Sequence, residues 1–360
     1  MQLKLVTIIS AFLATAAVAS PVEKRAEFVF TSYSQITSAQ NYDYSSVTLQ
    51  GPFTVPANKV IDLTWLNNGT TVNIVGKITF AHGSLNKYHD LLTIGGSDIT
   101  VDGSYGTLDG SGPHYWDGKG SNSGSPKPKF IRLKGMSGTI KGLTIVRSPI
   151  HTFSISDCHG LTLTGVTIDN RGSKYDLGHN TDGFDISSSS SVTITDSKVY
   201  NNDDCLAVKS GSKIHFNNNY CDGGHGISIG SIQVGDIVNG VWVSNSTVSN
   251  SENGVRIKAY ANAKGGRVNN INYKDITLSN ITTYGIIIQQ DYTNTGATGK
   301  PGGGALITDV NLNNIQGTVY GGENVYILCA KCSNFNFNNI AITGGNGSNC
   351  TGISPKPQGC

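Results

Sequence analysis

Charge is scarce in this sequence, and glutamate is rare. Only 14% of the 360 residues are Asp, Glu, Lys or Arg, and only four of the 24 acidic residues are Glu. This composition excludes a coiled coil and a charge-rich disordered chain. Any carboxylate chemistry in the protein therefore depends on Asp.

Long helical and long apolar segments are also missing. No amphipathic segment of ordinary helix length separates the short apolar runs, which argues against folds that alternate strands with helices. No apolar run is long enough to cross a membrane, so we predict that no membrane is a partner.

The N-terminus has the pattern of a targeting segment. An apolar run at Leu5–Ala17 leads into Ala17-Val18-Ala19, which suits signal peptidase. We predict a signal peptide at residues 1–19, a short pro-segment at 20–25 and one domain at 26–360. The protein is therefore expected to be secreted and extracellular.

Net charge is nearly absent once the N-terminal segment is removed. The whole chain carries +2, and its first 25 residues contribute the same amount, so the predicted mature domain is close to neutral. No general attraction to a polyanion follows, and we predict no nucleic-acid partner. An acidic substrate has to be held by local cations.

Cysteine is absent before Cys158, and the total of seven leaves one residue unpaired. The Cys329-x-x-Cys332 spacing can indicate a metal site or a redox site. An oxidising compartment favours a disulfide instead, and the sequence nearby has no matching His/Cys set for a metal. Spacing favours the pairs Cys205–Cys221, Cys329–Cys332 and Cys350–Cys360, with Cys158 buried and reduced. Five sequons predict glycans on exposed turns, at Asn68, Asn245, Asn280, Asn346 and Asn349.

Short β-like runs dominate the chain from about residue 60 onwards. They are rich in Val, Ile and Thr, are broken by Gly, Asn, Asp and Ser, and recur at intervals of about 20–30 residues. We predict an all-β fold, a right-handed parallel β-helix (solenoid) with a single domain. A short helix at 31–41 would cover its open end, and loops at 110–128 and 293–304 would wall a groove.

Four short signatures follow one another along the chain, and each is separated from the next by about one repeat length. They are Asn180-Thr181-Asp182, Asp203-Asp204-Cys205, Gly224-His225-Gly226 and Arg256-Ile257-Lys258. Asp182 to Asp203 is 21 residues, Asp203 to His225 is 22, and His225 to Arg256 is 31. Stacked coils lie about 4.8 Å apart, so these groups are expected to meet on one face.

Three neighbouring carboxyl groups cannot all ionise easily, so we expect one raised pKa among Asp182, Asp203 and Asp204. Asp203 and Asp204 are adjacent in sequence, so both side chains can face one site only if the backbone bends at this pair. A protonated acid beside ionised bases is what glycosidic cleavage needs. His225, between two glycines, is expected to tune the acid or contact the sugar rather than bind a metal.

Arg256 and Lys258 are two residues apart and therefore project from one strand face. In a nearly neutral protein they form a candidate receptor for a sugar carboxylate, with an ion pair to the Asp cluster as the alternative interpretation.

Together, these motifs resemble the polygalacturonases, the pectin-cleaving glycoside hydrolases of family 28, over most of the chain. One departure is Asn201-Asn202, where the family commonly has Asn-Gln. The resemblance implies Asp203 as general acid, Asp182 and Asp204 as the groups that hold water, and inversion at the anomeric carbon. It also implies sugar contacts from Asn180, Arg256, Lys258 and Tyr292.

The implied function is hydrolysis of α-1,4-linked polygalacturonate, with endo action favoured over exo action. A calcium-dependent pectate lyase and a non-catalytic pectin-binding β-helix are the alternatives. We expect no cofactor or metal and a monomer, and plant inhibitor proteins are possible further partners. Tolerance of methyl-esterified pectin stays open.

Overall fold

The structure is a computed structural model that describes residues 26–38 and 43–360. The predicted signal peptide and pro-segment lie outside the described residues. Within the described ranges, no helix has the length and apolarity that crossing a membrane requires.

The regular secondary structure of the described residues is almost entirely β-strand. Helix α1 spans Tyr33–Ser38, which confirms part of the helix predicted at 31–41, and single 3-10 turns occur at Gly112–His114 and Tyr175–Leu177. The strands are β1 Ala26–Phe30, β2 Tyr44–Gln50, β3 Phe53–Val55, β4 Ile61–Leu63, β5 Thr71–Phe80, β6 Asp90–Asp109, β7 Lys129–Lys141, β8 Thr144–Val146, β9 Phe153–Ser156, β10 His159–Thr164, β11 Thr167–Asp169, β12 Phe184–Ser187, β13 Ser189–Thr195, β14 Lys198–Asn201, β15 Leu206–Val208, β16 Gly211–Asn217, β17 Tyr220–Gly223, β18 Ile227–Ile232, β19 Ile237–Ser249, β20 Asn253–Tyr260, β21 Arg267–Ile281, β22 Tyr284–Tyr292, β23 Leu306–Val319, β24 Glu323–Leu328, β25 Cys332–Thr343 and β26 Ser348–Thr351.

These strands wind about one axis as a right-handed parallel β-helix, as predicted. Each coil adds one strand segment to each of three parallel stacks, and each strand pairs with its equivalent in the next coil. We call the stack that carries the cleft the site sheet. It consists of β4, the first parts of β6 and β7, and β9, β12, β15, β18, β20, β22, β24 and β26.

The core is a column of apolar side chains that stack coil upon coil. In the site sheet, Phe153, Phe184, Leu206, Ile227 and Val255 occupy successive positions of one register. All five are fully buried. Because strand side chains alternate between faces, this inward column fixes the outward direction of the residues between them.

The outward column next to it carries polar side chains. Ser154, Asp185, Ala207, Ser228 and Arg256 follow one another in register on the outer face of the site sheet. Residues that are distant in sequence therefore share one surface.

The predicted disulfides are confirmed. Cys205–Cys221, Cys329–Cys332 and Cys350–Cys360 are bonded, and Cys158 is free and buried. The first of these bridges joins neighbouring coils directly after Asp204, so it helps to fix the turn that carries the paired acids.

Asparagine amides also stack between coils. Asn336 donates to Asn311 at 3.0 Å, and Asn311 donates to Asn272 at 3.0 Å. Asn336 lies within β25. This ladder therefore follows the strands, whereas Asn339 has a positive φ and marks a bend.

Loss of one inward side chain tests the core. Ile194 in β13 is fully buried between Leu163 and Phe216 of the neighbouring coils. We expect Ile194→Ala to lower the free energy of unfolding by about 2–5 kcal/mol because it removes apolar contacts and leaves a cavity. Denaturant unfolding measures the change. Thr193→Ala, one residue away on the outer face, is the control, and an equal loss in both variants would contradict this account of the core.

Candidate active site

An open cleft of about 860 Å³ runs across the outer face of the site sheet. Lys119 and Ser121 from the loop at 110–128 line it, as do Thr293 and Asn294 from the loop at 293–304. The prediction that both loops wall a groove is therefore confirmed.

The three predicted acids lie together in this cleft. Asp182 follows β11 and precedes β12, and Asp203 and Asp204 occupy the equivalent turn one coil later, between β14 and β15. The coils are tied at this point, since the Gly183 N–H donates to the Asp204 carbonyl at 2.9 Å. The backbone bends here as expected, because the Asp204 N–H donates to Asp203 Oδ1 at 2.8 Å.

Asp203 is held by hydrogen-bond donors on several sides. Asn180 Nδ2 donates to its Oδ2 at 3.0 Å, and His225 Nδ1 lies 3.1 Å from its Oδ1. Burial alone would raise the pKa of Asp203, but the charge and hydrogen bond of His225, the charge of Lys258 and the Asp204 N–H together hold that pKa well below its usual range. Asp203 is therefore ionised in the free protein.

Asn180 is oriented by the long loop. The Ser121 N–H donates to Asn180 Oδ1 at 2.9 Å, which leaves the amide nitrogen to face Asp203. One wall of the cleft thereby fixes a group that binds the central acid.

The two glycines beside His225 are required by the close packing. Gly224 and Gly226 both have positive φ, and a Cβ at either position would lie less than 2.5 Å from a backbone oxygen. His225 bridges two carboxylates, because its Nε2 lies 3.3 Å from Glu252 Oε2. Burial disfavours its charge, but Asp203 and the other nearby acids raise the pKa of His225 to about 9.

Asp204 forms a buried ion pair. Lys258 Nζ lies 2.5 Å from its Oδ2, and the Ser228 hydroxyl donates to its Oδ1 at 2.6 Å. In the free protein, Lys258 therefore forms the ion pair with the Asp cluster that the alternative interpretation predicts. A sugar carboxylate would have to share this lysine with Asp204.

Arg256 is less committed to the acids. Its Nη1 lies 4.0 Å from Asp204 Oδ1, and its buried Nε has no hydrogen-bond partner in the described part of the chain. Arg256 and Lys258 both face the ring of Tyr292, at 5.5 and 5.3 Å from its centroid. The predicted cations and tyrosine thus meet at one end of the acid cluster, with donors of Arg256 still to be satisfied.

Asp182 contrasts with Asp203. Its side chain is 9% exposed, and its Oδ1 has no hydrogen-bond partner among the described residues. Burial and the charges of Asp185, Asp203 and Asp204 raise the pKa of Asp182 well above its ordinary value, against the effect of Lys258. The raised pKa that we expected within the trio therefore belongs to Asp182, not to Asp203, the acid that the resemblance favours.

Sequence reasoning missed three residues of this site: His151, Asp185 and Glu252. His151 lies 31 residues before Asp182, the same interval that separates His225 from Arg256. The repeat interval could therefore have identified His151 as a site residue. Asp185 lies in register with Ser154 and Ala207 on the outer face of β12. Glu252 directly precedes β20 and had no motif to mark it.

Among the described residues, two sets of side chains offer ligand atoms close enough to hold a metal ion. They are His151 with Asp182 and Asp185, and Asp203 with Asp204 and His225, each with atoms within 4.8 Å of one another. In the second set, Lys258 and His225 already balance the carboxylate charge. In the first set, two carboxylates share one imidazole.

Several comparisons agree with this geometry. Residues 45–360 match the family model described as glycosyl hydrolases family 28. An endo-polygalacturonase of Sclerotinia sclerotiorum is 48% identical over 83% of this chain and 79% of its own length, and a polygalacturonase of Cochliobolus carbonum is 43% identical over 98% of both. The structure of endopolygalacturonase I from Stereum purpureum, complexed with two galacturonates, superposes with a TM-score of 0.84, at 38% identity and coverage of 91% of this chain and 98% of that one.

The fold, the acids and the open cleft define a glycoside hydrolase of the parallel β-helix class. The match over nearly the whole described chain identifies its family. This chain belongs to family 28 of the glycosyl hydrolases.

Removal of one charge tests the coupling between Asp203 and His225. We expect Asp203→Asn to lower the pKa of His225 from about 9 by at least about one unit, because the variant loses the main group that stabilises the imidazolium. NMR titration of the histidine ring, assigned with a His225→Gln variant, measures this shift. A His225 pKa that stays near 9 in the Asp203 variant would contradict the coupling.

Proposed function

We propose that this protein is a secreted, endo-acting polygalacturonase that hydrolyses the α-1,4 bonds of polygalacturonate. One observation carries the proposal: Asp182, Asp203 and Asp204 lie in the same open cleft as Arg256, whose donors are not fully used. Carboxyl groups supply the chemistry of glycosidic cleavage, and a guanidinium suits a sugar carboxylate. The names of the relatives support the same substrate.

The proton for the leaving oxygen comes from the pair formed by Asp203 and His225. Such a coupled pair titrates as a unit, so a single proton can serve either residue. His225 Nδ1, 3.1 Å from Asp203 Oδ1, returns a proton to the carboxylate, and Asp203 passes it to the glycosidic oxygen as the carbon–oxygen bond breaks. This route reconciles the low pKa of Asp203 with its proposed role as general acid.

Asp182 and Asp204 hold the attacking water in this proposal. Asp204 is fixed by Lys258 and Ser228 and orients the water, while Asp182 has a free oxygen that can accept its proton. The water bonds to the anomeric carbon on the face opposite the leaving sugar, which inverts the configuration.

Substrate recognition depends on the cationic end of the cleft. Arg256 reads the carboxylate of a galacturonate, Lys258 adds charge, and the Tyr292 ring packs against the sugar. Asn180 acts through Asp203, which it orients.

Endo action is favoured because the cleft continues on both sides of the acids. Lys129 and Arg132 line it on one side, and Thr293 and Asn294 line it on the other. A long chain can therefore extend in both directions from the bond that is cut. No described feature favours a lyase or a non-catalytic binding protein over this hydrolase.

Secretion is supported by three disulfides and by the signal-peptide pattern of the sequence. The asparagines of all five sequons are exposed, which suits glycosylation. Glycan attachment, a monomeric state and plant inhibitor partners stay predictions.

Product analysis tests the function. We expect the purified protein to release reducing ends from polygalacturonate and to yield a range of oligomers early in the reaction, because an open cleft cuts within chains. Sizing chromatography over time measures this, with Asp203→Asn as the control that should lose activity by at least about 10²-fold. Monomer as the first product would indicate exo action, an unsaturated product that absorbs in the ultraviolet would indicate a lyase, and no cleavage would contradict the proposal.

A second prediction concerns the carboxylate receptor. We expect Arg256→Ala to raise KM on polygalacturonate about 10- to 100-fold. This factor corresponds to the free energy of a hydrogen bond to a charged group. Arg267→Ala, an exposed arginine on β21 outside the cleft, is the control. Lys258→Ala should lower kcat as well, because it leaves Asp204 buried without its partner. An unchanged KM in the Arg256 variant would exclude Arg256 as the receptor.

A further inference from the structure

His151 bridges a carboxylate at the rim of the cleft and a carboxylate at its base. The residue lies in the turn before β9, where its Nδ1 is 2.5 Å from Asp185 Oδ2 and its Nε2 is 3.8 Å from Asp182 Oδ1. The imidazole is 23% exposed, whereas Asp182 is 9% exposed. One ring therefore connects the buried acid with solvent.

The contact with Asp185 determines which nitrogen faces Asp182. Because Nδ1 lies against Asp185, Nε2 is the ring nitrogen that faces Asp182. The separation of 3.8 Å is longer than a hydrogen bond, and a movement of less than about 1 Å would close it. Catalytic contacts are often this loose before substrate binds.

Asp182 needs a neighbouring group that can remove its proton. The charged groups that face it are Asp185 from β12, Asp203 and Asp204 from the next turn and Lys258 from β20, in addition to His151. Three of these are carboxylates and favour the protonated acid. A protonated Asp182 cannot accept a proton from water.

We propose that His151, oriented by Asp185, is a positioning residue that carries the proton between Asp182 and solvent. This inference rests on the proposed hydrolase function. It goes beyond that function because it names the group that makes Asp182 available as a base and restores it after each turnover.

The groups in the cleft account for each proton that this relay moves. Before attack, the Asp182 proton moves to His151 Nε2, which leaves a carboxylate beside an imidazolium. As the oxygen of water bonds to the anomeric carbon and the bond to the leaving sugar breaks, one water proton moves to Asp182. The imidazolium releases its own proton to solvent and then takes the new one from Asp182.

His225 has the corresponding arrangement on the other side of the acids. Its Nδ1 faces the deep Asp203 at 3.1 Å, and its Nε2 faces the more exposed Glu252 at 3.3 Å. Each proton-transferring acid thus has one imidazole that links it to an outer carboxylate. His225 serves the proton that is donated, and His151 serves the proton that is removed.

Two substitutions test the relay through the pH profile of kcat on polygalacturonate. His151→Gln keeps hydrogen-bonding capacity but cannot carry a proton, and His151→Ala leaves space for an added base. We expect both to lower kcat about 10- to 100-fold with KM changed less than about twofold. The acid limb of kcat should move up by about one pH unit, because without a group at position 151 that can take its proton, Asp182 keeps that proton to higher pH.

Added imidazole separates a relay from a structural role. It should restore part of the kcat of His151→Ala and none of the kcat of His151→Gln. His215→Ala, on β16 and stacked on Trp242 away from the cleft, is the control and should keep wild-type kcat and acid limb. If the wild type cleaves polygalacturonate while both His151 variants keep its kcat and acid limb, the relay is wrong. An inactive wild type would instead overturn the proposed function.

Discussion

The crowding of buried carboxylates in one cleft is the constraint on which this site depends. Asp182, Asp203 and Asp204 are each less than one-tenth exposed, and like charges at such short range oppose ionisation. Ionisation becomes possible only through fixed opposite charges and donors, chiefly Lys258 at Asp204 and His225 at Asp203. Within the described ranges, Asp182 has no comparable hydrogen bond, and it holds its proton more tightly. Three chemically identical groups therefore acquire different properties.

The parallel β-helix makes this crowding possible. Each acid lies in the turn that leads into the site sheet, and the inward apolar columns hold successive coils in register. Repulsion between neighbouring turns is therefore resisted by the whole core and by the Cys205–Cys221 bridge, rather than by the turns themselves. The two long loops contribute further, since Ser121 fixes Asn180 against Asp203.

The sequence predicted the fold and most of the site because both depend on the repeat. Asp182, Asp203, His225 and Arg256 were found because each lies about one coil after the one before. His151 obeys the same interval but has no motif around it, and Asp185 and Glu252 became visible only when register placed them at the cleft. The protonation pattern was not predictable, because it depends on which oxygen lacks a donor, and a repeat length contains no such information.

The distinct roles of the acids depend most directly on where the protons of the free protein lie. Neutron diffraction from deuterium-exchanged crystals, at a pH well below the value of about 9 at which His225 loses its proton, would locate them. We predict deuterium on both ring nitrogens of His225 and none on Asp203. A deuterated Asp203 beside a neutral His225 would contradict the claim that fixed charges divide the acids into distinct roles.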